Sequence, residues 1–422
     1  MTAAPGRTFR ALRHRNYRLF FIGQGVSLVG TWLQQVAVGW LAYRLTGSVL
    51  LLGVIAFCAN AGILFLGSFA GVVADRVDGR RAMYVTQAAM AAQAVLLATL
   101  TALDVVQPWH LVALALWMGI VNAFDIPLRQ SLYVRFVDNR ADLPNAIALN
   151  SFLVNAARVV GPAIAGVLLA ATTEAVCFAL NALSFLAVFV AFARMRIPPR
   201  AAVAGRRGLR ESWVEGFRFV AHFAPARALL AVAATVSFTI LPYASLMPVV
   251  AKDVLRGGPQ ALGALLSAAG AGALACTLYL ARRESVVGLG RVIAGAALAA
   301  GIALAAFGQA RHMALALPLV FVAGGGVILA AAASNTILQT IVSDELRGRV
   351  AGFFTLAFLG VAPLGNLAAG ALAERFGVAA TFAINGAACA LVALWFLRRL
   401  PQLRRAMRPV YEKLGLLPPA VD

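Results

Sequence analysis

Twelve long apolar stretches divide this 422-residue chain, and its arginines gather in alternate gaps between them. The stretches lie near 18–43, 50–73, 82–103, 109–131, 146–171, 174–193, 227–250, 260–281, 289–309, 313–337, 350–373 and 378–397. Each reaches the roughly 20 residues that carry a helix across a hydrocarbon core about 30 Å thick. Lipid offers the backbone no hydrogen-bond partners, so the spans must be helices. The expectation is an all-α membrane protein with twelve transmembrane helices.

With the N-terminus placed inside, 30 of the 36 Lys and Arg residues fall on the inner side. The outer gaps hold only Arg44, Lys252, Arg256, Arg311 and Arg375, and Arg158 lies within a span. Basic residues near span ends stay on the cytoplasmic side. A multi-pass protein of the cytoplasmic membrane with both termini inside is therefore expected. At 62% hydrophobic and 12% charged residues, the chain has too little polar surface for a soluble protein of its length. The net charge of +20 is distributed over every inner gap and forms no single patch, which suits anionic lipid and not nucleic acid. The first apolar run is as long as a full span and lacks a small-residue cleavage site, so no cleavable signal peptide is expected. Cys58, Cys177, Cys276 and Cys389 each lie in a span and read as small core residues. The four histidines, His14, His110, His222 and His312, fall at surfaces. No catalytic set, metal site or cofactor is expected.

The longest internal gap separates six spans from six. It gives a cytoplasmic tail at 1–17, a six-helix bundle at 18–194, a cytoplasmic linker at 195–226, a second six-helix bundle at 227–398 and a cytoplasmic tail at 399–422. Within the linker, Leu209, Trp213, Phe217 and Val220 recur at helical spacing among charged residues, the pattern of an interfacial amphipathic helix. The halves echo each other. Val137 to Leu143 and Val342 to Arg349 are similar acidic and basic turns, and each precedes a span with a central proline, Pro162 or Pro363. Two pseudo-symmetric bundles with a pathway between them fit that offset.

After the second span the chain reads Gly71-Val72-Val73-Ala74-Asp75-Arg76-Val77-Asp78-Gly79-Arg80-Arg81. This resembles the loop motif of the major facilitator superfamily, with one extra residue between Arg76 and Gly79. Gly71 would permit close helix approach, and Asp75 would accept from a neighbouring helix N-terminus. The resemblance implies that Gly71, Asp75, Arg76, Gly79, Arg80 and Arg81 stabilise one face of an alternating-access cycle. The segments from Phe9 to Tyr17, Gly30 to Gln35, Asn122 to Gln130 and Asn145 to Asn150 are similar to the branch that includes the enterobactin exporter and related transmembrane secretion effectors. Asn155 to Arg158, followed by Gly161-Pro162 and Gly166, partly matches the antiporter motif of drug exporters, with Gly166-Val167 where the usual ending is Gly-Gly. Gly161, Pro162 and Gly166 join the expected gating set.

A charge at mid-bilayer costs at least about 2.5–3.5 kcal/mol, so intramembrane charges require a reason. Arg158 lies well inside the fifth span, and Pro162, four residues on, has no N–H to give its carbonyl. Its guanidinium can bind an anionic substrate group, act in gating or glue helices together. Asp125, about 24 Å along its helix from Trp109, lies nearer the inner surface. It is a candidate for proton coupling, or else for a structural hydrogen bond near Asp75 and Arg129. Among the span amides, Gln34 and Asn155 are the better candidates to join Arg158 in substrate binding. Pro242, Pro248 and the run Gly324 to Gly326 mark interrupted or closely packed helices.

No Walker A sequence is present. The combined reading is a secondary active exporter of small organic molecules, siderophore-like or amphipathic and drug-like, working by proton-coupled antiport. Its partners would be substrate, lipid and protons, and it would act as a monomer. Import or facilitated diffusion by the same fold stays open, as does a non-transporting receptor.

Overall fold

The computed structural model describes residues 9–133, 135–195, 209–283 and 285–418, so the Arg-rich stretch 196–208 lies outside the described residues. A 3-10 turn at Arg10–Arg13 leads into α1 (Arg15–Thr46), α2 (Val49–Arg76), α3 (Gly79–Ala102), α4 (Pro108–Tyr133), α5 (Leu143–Ala171) and α6 (Glu174–Arg194). The second half holds α7 (Leu209–His222), α8 (Ala224–Thr239), α9 (Tyr243–Val249), α10 (Gly258–Ala281), α11 (Leu289–Phe307), α12 (Met313–Ile341), α13 (Asp344–Thr355) and α14 (Ala362–Lys413). Among the described residues there is no strand.

Local chemistry sets many of the boundaries. Gly47 closes α1 in the left-handed region at φ 64°, where an L side chain is strained. Ser48 caps α2 by accepting from Leu51 N–H, and Asp78 caps α3 by accepting from the Arg80 and Arg81 N–H groups. Among the described residues, ten stretches are long and apolar enough to cross a membrane. One of them, Glu345–Lys413, covers the last two expected spans, and Arg15–Thr46 covers the first expected span without being among the ten. The expected span 227–250 is broken at Pro242, between the end of α8 and the start of α9. A π-helical turn, Val250–Val254, follows α9. Pro363, expected mid-span, stands at the start of α14 after a second π turn, Leu356–Gly360. The segment expected as a C-terminal tail from 399 is helical to Lys413, with Leu400, Leu403, Met407 and Tyr411 forming one buried stripe along it.

Contacts divide the chain into two compact units, 1–203 with 245–271, and 204–244 with 272–422. In the first, α2 packs along α4, α1 along α5 and α6, and α3 along α4 and α6. Gly62 and Gly119 meet backbone to backbone, so a Cβ on either would collide with the other helix. The core at one end of this unit includes Tyr17, Phe20, Met83, Phe136 and Phe192, all buried. In the second unit α11 packs along α12 and α14, and α8 along α14 and α12. Gly325 lies against the Gly272 carbonyl and Gly326 against the Ala296 carbonyl, so the glycine run serves close packing within an unbroken α12.

Candidate functional site

Arg158 is half-buried on α5, and its guanidinium sits over the indole of Trp32 on α1, 5.3 Å from the ring centroid. A cation over an aromatic face is stabilised by about 0.5–2 kcal/mol, more as water is removed. Packing makes this neighbourhood tight, since a Cβ on Gly161 would strike the Trp32 side chain. Pro162 has no N–H, so it removes the usual i+4 donor of the Arg158 carbonyl. That carbonyl faces the backbone of Gly270 on α10, where an added Cβ would come within 2.7 Å of it. One residue further on, Ser267 Oγ donates to the Val159 carbonyl at 2.8 Å. Gly166 and Gly263 continue the seam, with a Cβ on Gly263 only 2.6 Å from the Pro162 carbonyl. Pro162 and Gly166 thus let α5 receive the 258–271 segment of its own unit at backbone distance, while Gly161 does the same for α1.

Asn155, one turn before Arg158, is half-exposed and donates to the Ser151 carbonyl at 2.8 Å, with its amide oxygen and second N–H as the remaining polar groups. Gln34 is placed differently from the expectation of a substrate contact. It is buried, its Nε2 donates to Gln93 Oε1 at 2.9 Å, and its Oε1 accepts from Asn181 Nδ2 at 2.8 Å. Gln93 in turn donates to the Leu114 carbonyl at 3.3 Å, so one amide network joins α1, α3, α4 and α6. Both ends of the Gln34 amide are committed to protein because a buried amide needs its partners. No local sequence pattern distinguished it from Asn155, since pairing across 59 and 147 residues is decided by packing.

Asp125 is fully buried on α4. Its Oδ1 accepts from Thr86 Oγ1 and Gln87 Nε2, each at 2.8 Å, and its Oδ2 pairs with Arg129 one turn on. The carboxylate therefore ties α3 to α4, and these three donors, not Arg158, take up its oxygens. The helical i, i+4 spacing made the Arg129 pair legible, whereas Thr86 and Gln87 were not found by sequence reasoning.

In the loop motif, Gly71 has open space where a Cβ would stand, so the close approach expected there is made by Gly62 and Gly119 instead. The side chain of Asp75 lies outside the described residues. Asp78, the extra residue of this motif, is the one that caps α3. Arg76 is exposed, Arg80 donates to the Phe192 carbonyl at 3.3 Å, and Arg81 is 3.9 Å from Asp78. Gly79 is buried against Leu132.

Two polar clusters were not anticipated. His14, preceding α1, reaches Asp138 Oδ2 with Nδ1 and Asp142 Oδ2 with Nε2, each at 3.1 Å, and Arg10 pairs with Asp142 at 2.9 Å. Burial alone would lower the His14 pKa, but hydrogen bonds to Asp138 and Asp142 and the charges of both acids together raise it above its ordinary 6.5. At the other end of α1, Tyr43 Oη donates to Asp253 in the π turn, and Lys252 Nζ lies 5.2 Å from the Tyr43 ring centroid. Nearby along the chain, Arg44 pairs with Glu174 at 2.8 Å, beside a cavity of about 590 Å³ that also reaches Thr101 and Asp104. That cavity does not touch Arg158 or Asp125.

Comparison with known proteins follows this geometry. The profile of a family described as transmembrane secretion effector matches residues 6–413. A staphyloferrin A transporter of Staphylococcus aureus is 26% identical, over 92% of this chain and 97% of that relative. The multidrug efflux pump Tap of Mycolicibacterium fortuitum is 27% identical, over 92% of this chain and 95% of that relative. A crystal structure of a mutant nucleoside transporter NupG superposes with a TM-score of 0.72 at 13% identity, covering 92% of this chain and 99% of that one. At that identity the likeness speaks to fold alone.

Proposed function

The chain belongs to the transmembrane secretion effector family of major facilitator transporters, and we propose that it exports small organic molecules by alternating access, driven by proton antiport. It is a multi-pass membrane transporter, not an enzyme. The observation that carries the substrate reading is Arg158, a half-buried guanidinium on a spanning helix, held over Trp32. Such a group is kept in an apolar span only where it is useful. A cation over an indole, with the Asn155 amide one turn away, suits a solute that presents an anionic or carbonyl oxygen beside an aromatic or apolar body. Relatives described as a siderophore transporter and as multidrug efflux pumps support both halves of that description. Gln34 is assigned to the frame and not to the solute.

Proton coupling falls on Asp125, the carboxylate buried in this helix pair. A proton arriving there must displace one of three donors, and releasing Thr86 or Gln87 would loosen α3 from α4. The surplus of basic residues on one side supports both termini being cytoplasmic. The Gly161, Pro162 and Gly166 seam and the Gly71–Arg81 loop then act as gates on opposite faces.

Reconstitution in proteoliposomes with an imposed pH gradient tests this reading. Internal pH is followed while siderophores, dyes and drugs are added. Substrate-dependent proton movement that falls at least tenfold in Arg158→Ala and is lost in Asp125→Asn is expected. Uphill flux unchanged in Arg158→Ala would overturn the substrate assignment, and unchanged uphill flux in Asp125→Asn would remove Asp125 from coupling.

A further inference from the structure

Three helix ends meet at one end of the first unit. There α1 closes at Thr46, α3 closes at Ala102 and α6 opens at Glu174, and the cavity of about 590 Å³ beside Arg44 lies among them. That volume is in the range of small-molecule sites. Its described polar lining is Arg44, Glu174, Asp104, Thr99, Thr101 and Thr173, and the rest of its wall is alanine and Val176, with no aromatic ring. The reading of Arg158 and Asp125 as transport residues leaves this cavity without a role, since it touches neither.

The charges of the lining define what fits. Arg44 Nε donates to Glu174 Oε1 at 2.8 Å and Nη2 to Oε2 at 3.2 Å, so this base and acid cancel. Glu174 stands in the first turn of α6, where the helix dipole suits an anion, and the half-exposed Arg44 keeps Nη1 for a further acceptor. Asp104 is placed in the opposite way. It follows the C-terminus of α3 in the left-handed region at φ 56°, which aspartate tolerates, but the dipole there disfavours an acid. Its side chain is exposed, and among the described residues no cation pairs with it. Thr101 is only 8% exposed, yet its hydroxyl has no partner among the described residues, an exception to the rule that buried polar groups are paired. The surplus charge of the lining is therefore one negative, at Asp104. A primary ammonium answers it with three N–H donors for carboxylate and hydroxyl oxygens. A quaternary ammonium has no N–H and is held best by aromatic faces, which this lining lacks.

The surface next to the cavity identifies the molecule that carries the ammonium. On α3, Ala98, Thr99 and Ala102 of the lining share a helical face with Val95, and on α6, Val176 and Ala179 share one with Leu183. Val95 and Leu183 are both exposed. These two helices pack along each other, and both are apolar enough to cross a membrane. A polar cavity at the helix ends thus continues into an exposed apolar face towards the middle of the helices, as a headgroup continues into its acyl chain. We propose that this cavity binds a phospholipid whose headgroup ends in a primary ammonium, with Asp104 taking the ammonium, Arg44 the phosphate, and Val95 and Leu183 the first part of a chain. The site requires only that the chain is embedded in a membrane and is independent of the export reading.

Native mass spectrometry of the full-length protein in detergent micelles is the test, with titration by phosphatidylethanolamine, phosphatidylcholine or phosphatidylglycerol of identical chains. Phosphatidylethanolamine should bind several-fold more tightly than phosphatidylcholine. Asp104→Asn, which keeps the left-handed turn, should weaken phosphatidylethanolamine several-fold and leave phosphatidylglycerol, drawn to basic surfaces elsewhere, unweakened. Thr99→Lys, at an exposed position, tethers an ammonium beside the cavity and should weaken phosphatidylethanolamine about tenfold. Glycerophosphoethanolamine, the same headgroup without chains, should not displace the lipid at equal concentration. Each variant is first matched to wild type in thermal midpoint and gel-filtration profile. Phosphatidylethanolamine bound no more tightly than phosphatidylcholine, or bound equally by wild type and both variants, would overturn the site, and displacement by equimolar glycerophosphoethanolamine would overturn the lipid as its ligand.

Discussion

Single residues in this chain differ in what surrounds their polar atoms. Asp125 and Gln34 are held by neighbouring helices, and Arg158 places a half-buried cation over an indole. His14 belongs to a third kind, because its partners can change with pH. When neutral, Nδ1 can accept from the Asp138 N–H at 3.2 Å while Nε2–H donates to Asp142. When protonated, Nδ1–H donates to the Asp138 carboxylate and both acids are engaged. Its folded pKa is raised above 6.5. The stabilisation is therefore fully present below about 6.5 and is lost as pH rises through the raised value. The 3-10 turn that carries Arg10 and Arg13 should accordingly be cut by trypsin more slowly at pH 6 than at pH 8. In His14→Gln that pH dependence should vanish. A cutting rate that tracks only the pH profile of trypsin itself would refute this clasp.

At the scale of elements, helix contact here is governed by where side chains are missing. The α2–α4 crossing at Gly62 and Gly119 has no room for a Cβ on either helix. Gly119→Leu should force these helices apart and lower stability by about 2–3 kcal/mol, as overpacking does, seen as a thermal midpoint several degrees below wild type. Gly71→Ala in the loop motif, with open space around it, should leave the midpoint unchanged in this conformation. A midpoint for Gly119→Leu equal to that of Gly71→Ala would contradict the crossing. The α5 seam follows the same rule with an added feature. Pro162 strips the donor from the Arg158 carbonyl, and the neighbouring Val159 carbonyl takes Ser267 from α10. The proline was visible in the sequence, but the donor to the neighbouring Val159 carbonyl, Ser267, 108 residues away, was not. The amphipathic helix α7 also formed where its periodicity placed it. There Glu215 pairs with Arg349, and the Phe217 ring lies tilted at 47° to Phe353 with centroids 6.5 Å apart, contacts that tie it to α13.

For the whole molecule, the alternation of basic gaps makes a topological prediction. In a background where Cys58, Cys177, Cys276 and Cys389 are replaced by Ala, Arg256→Cys should react with a membrane-impermeant thiol reagent added outside intact cells. Arg282→Cys should react only after permeabilisation. Both positions are exposed in the fold, so the opposite pattern would invert the assigned orientation. Hydrophobic length and charge are properties of each segment by itself, set by the bilayer and needing no knowledge of other segments. For that reason the sequence alone determined an all-helical membrane protein, its family resemblance, the amphipathic linker helix and the intramembrane charges that require a reason. Partner choice is different, because it depends on which faces meet once the helices pack. Only the tertiary structure decided that Gln34 joins Gln93 and Asn181, that Asp125 holds Thr86, Gln87 and Arg129, that Arg158 lies over Trp32, and that Arg44, Asp104 and Glu174 line one cavity.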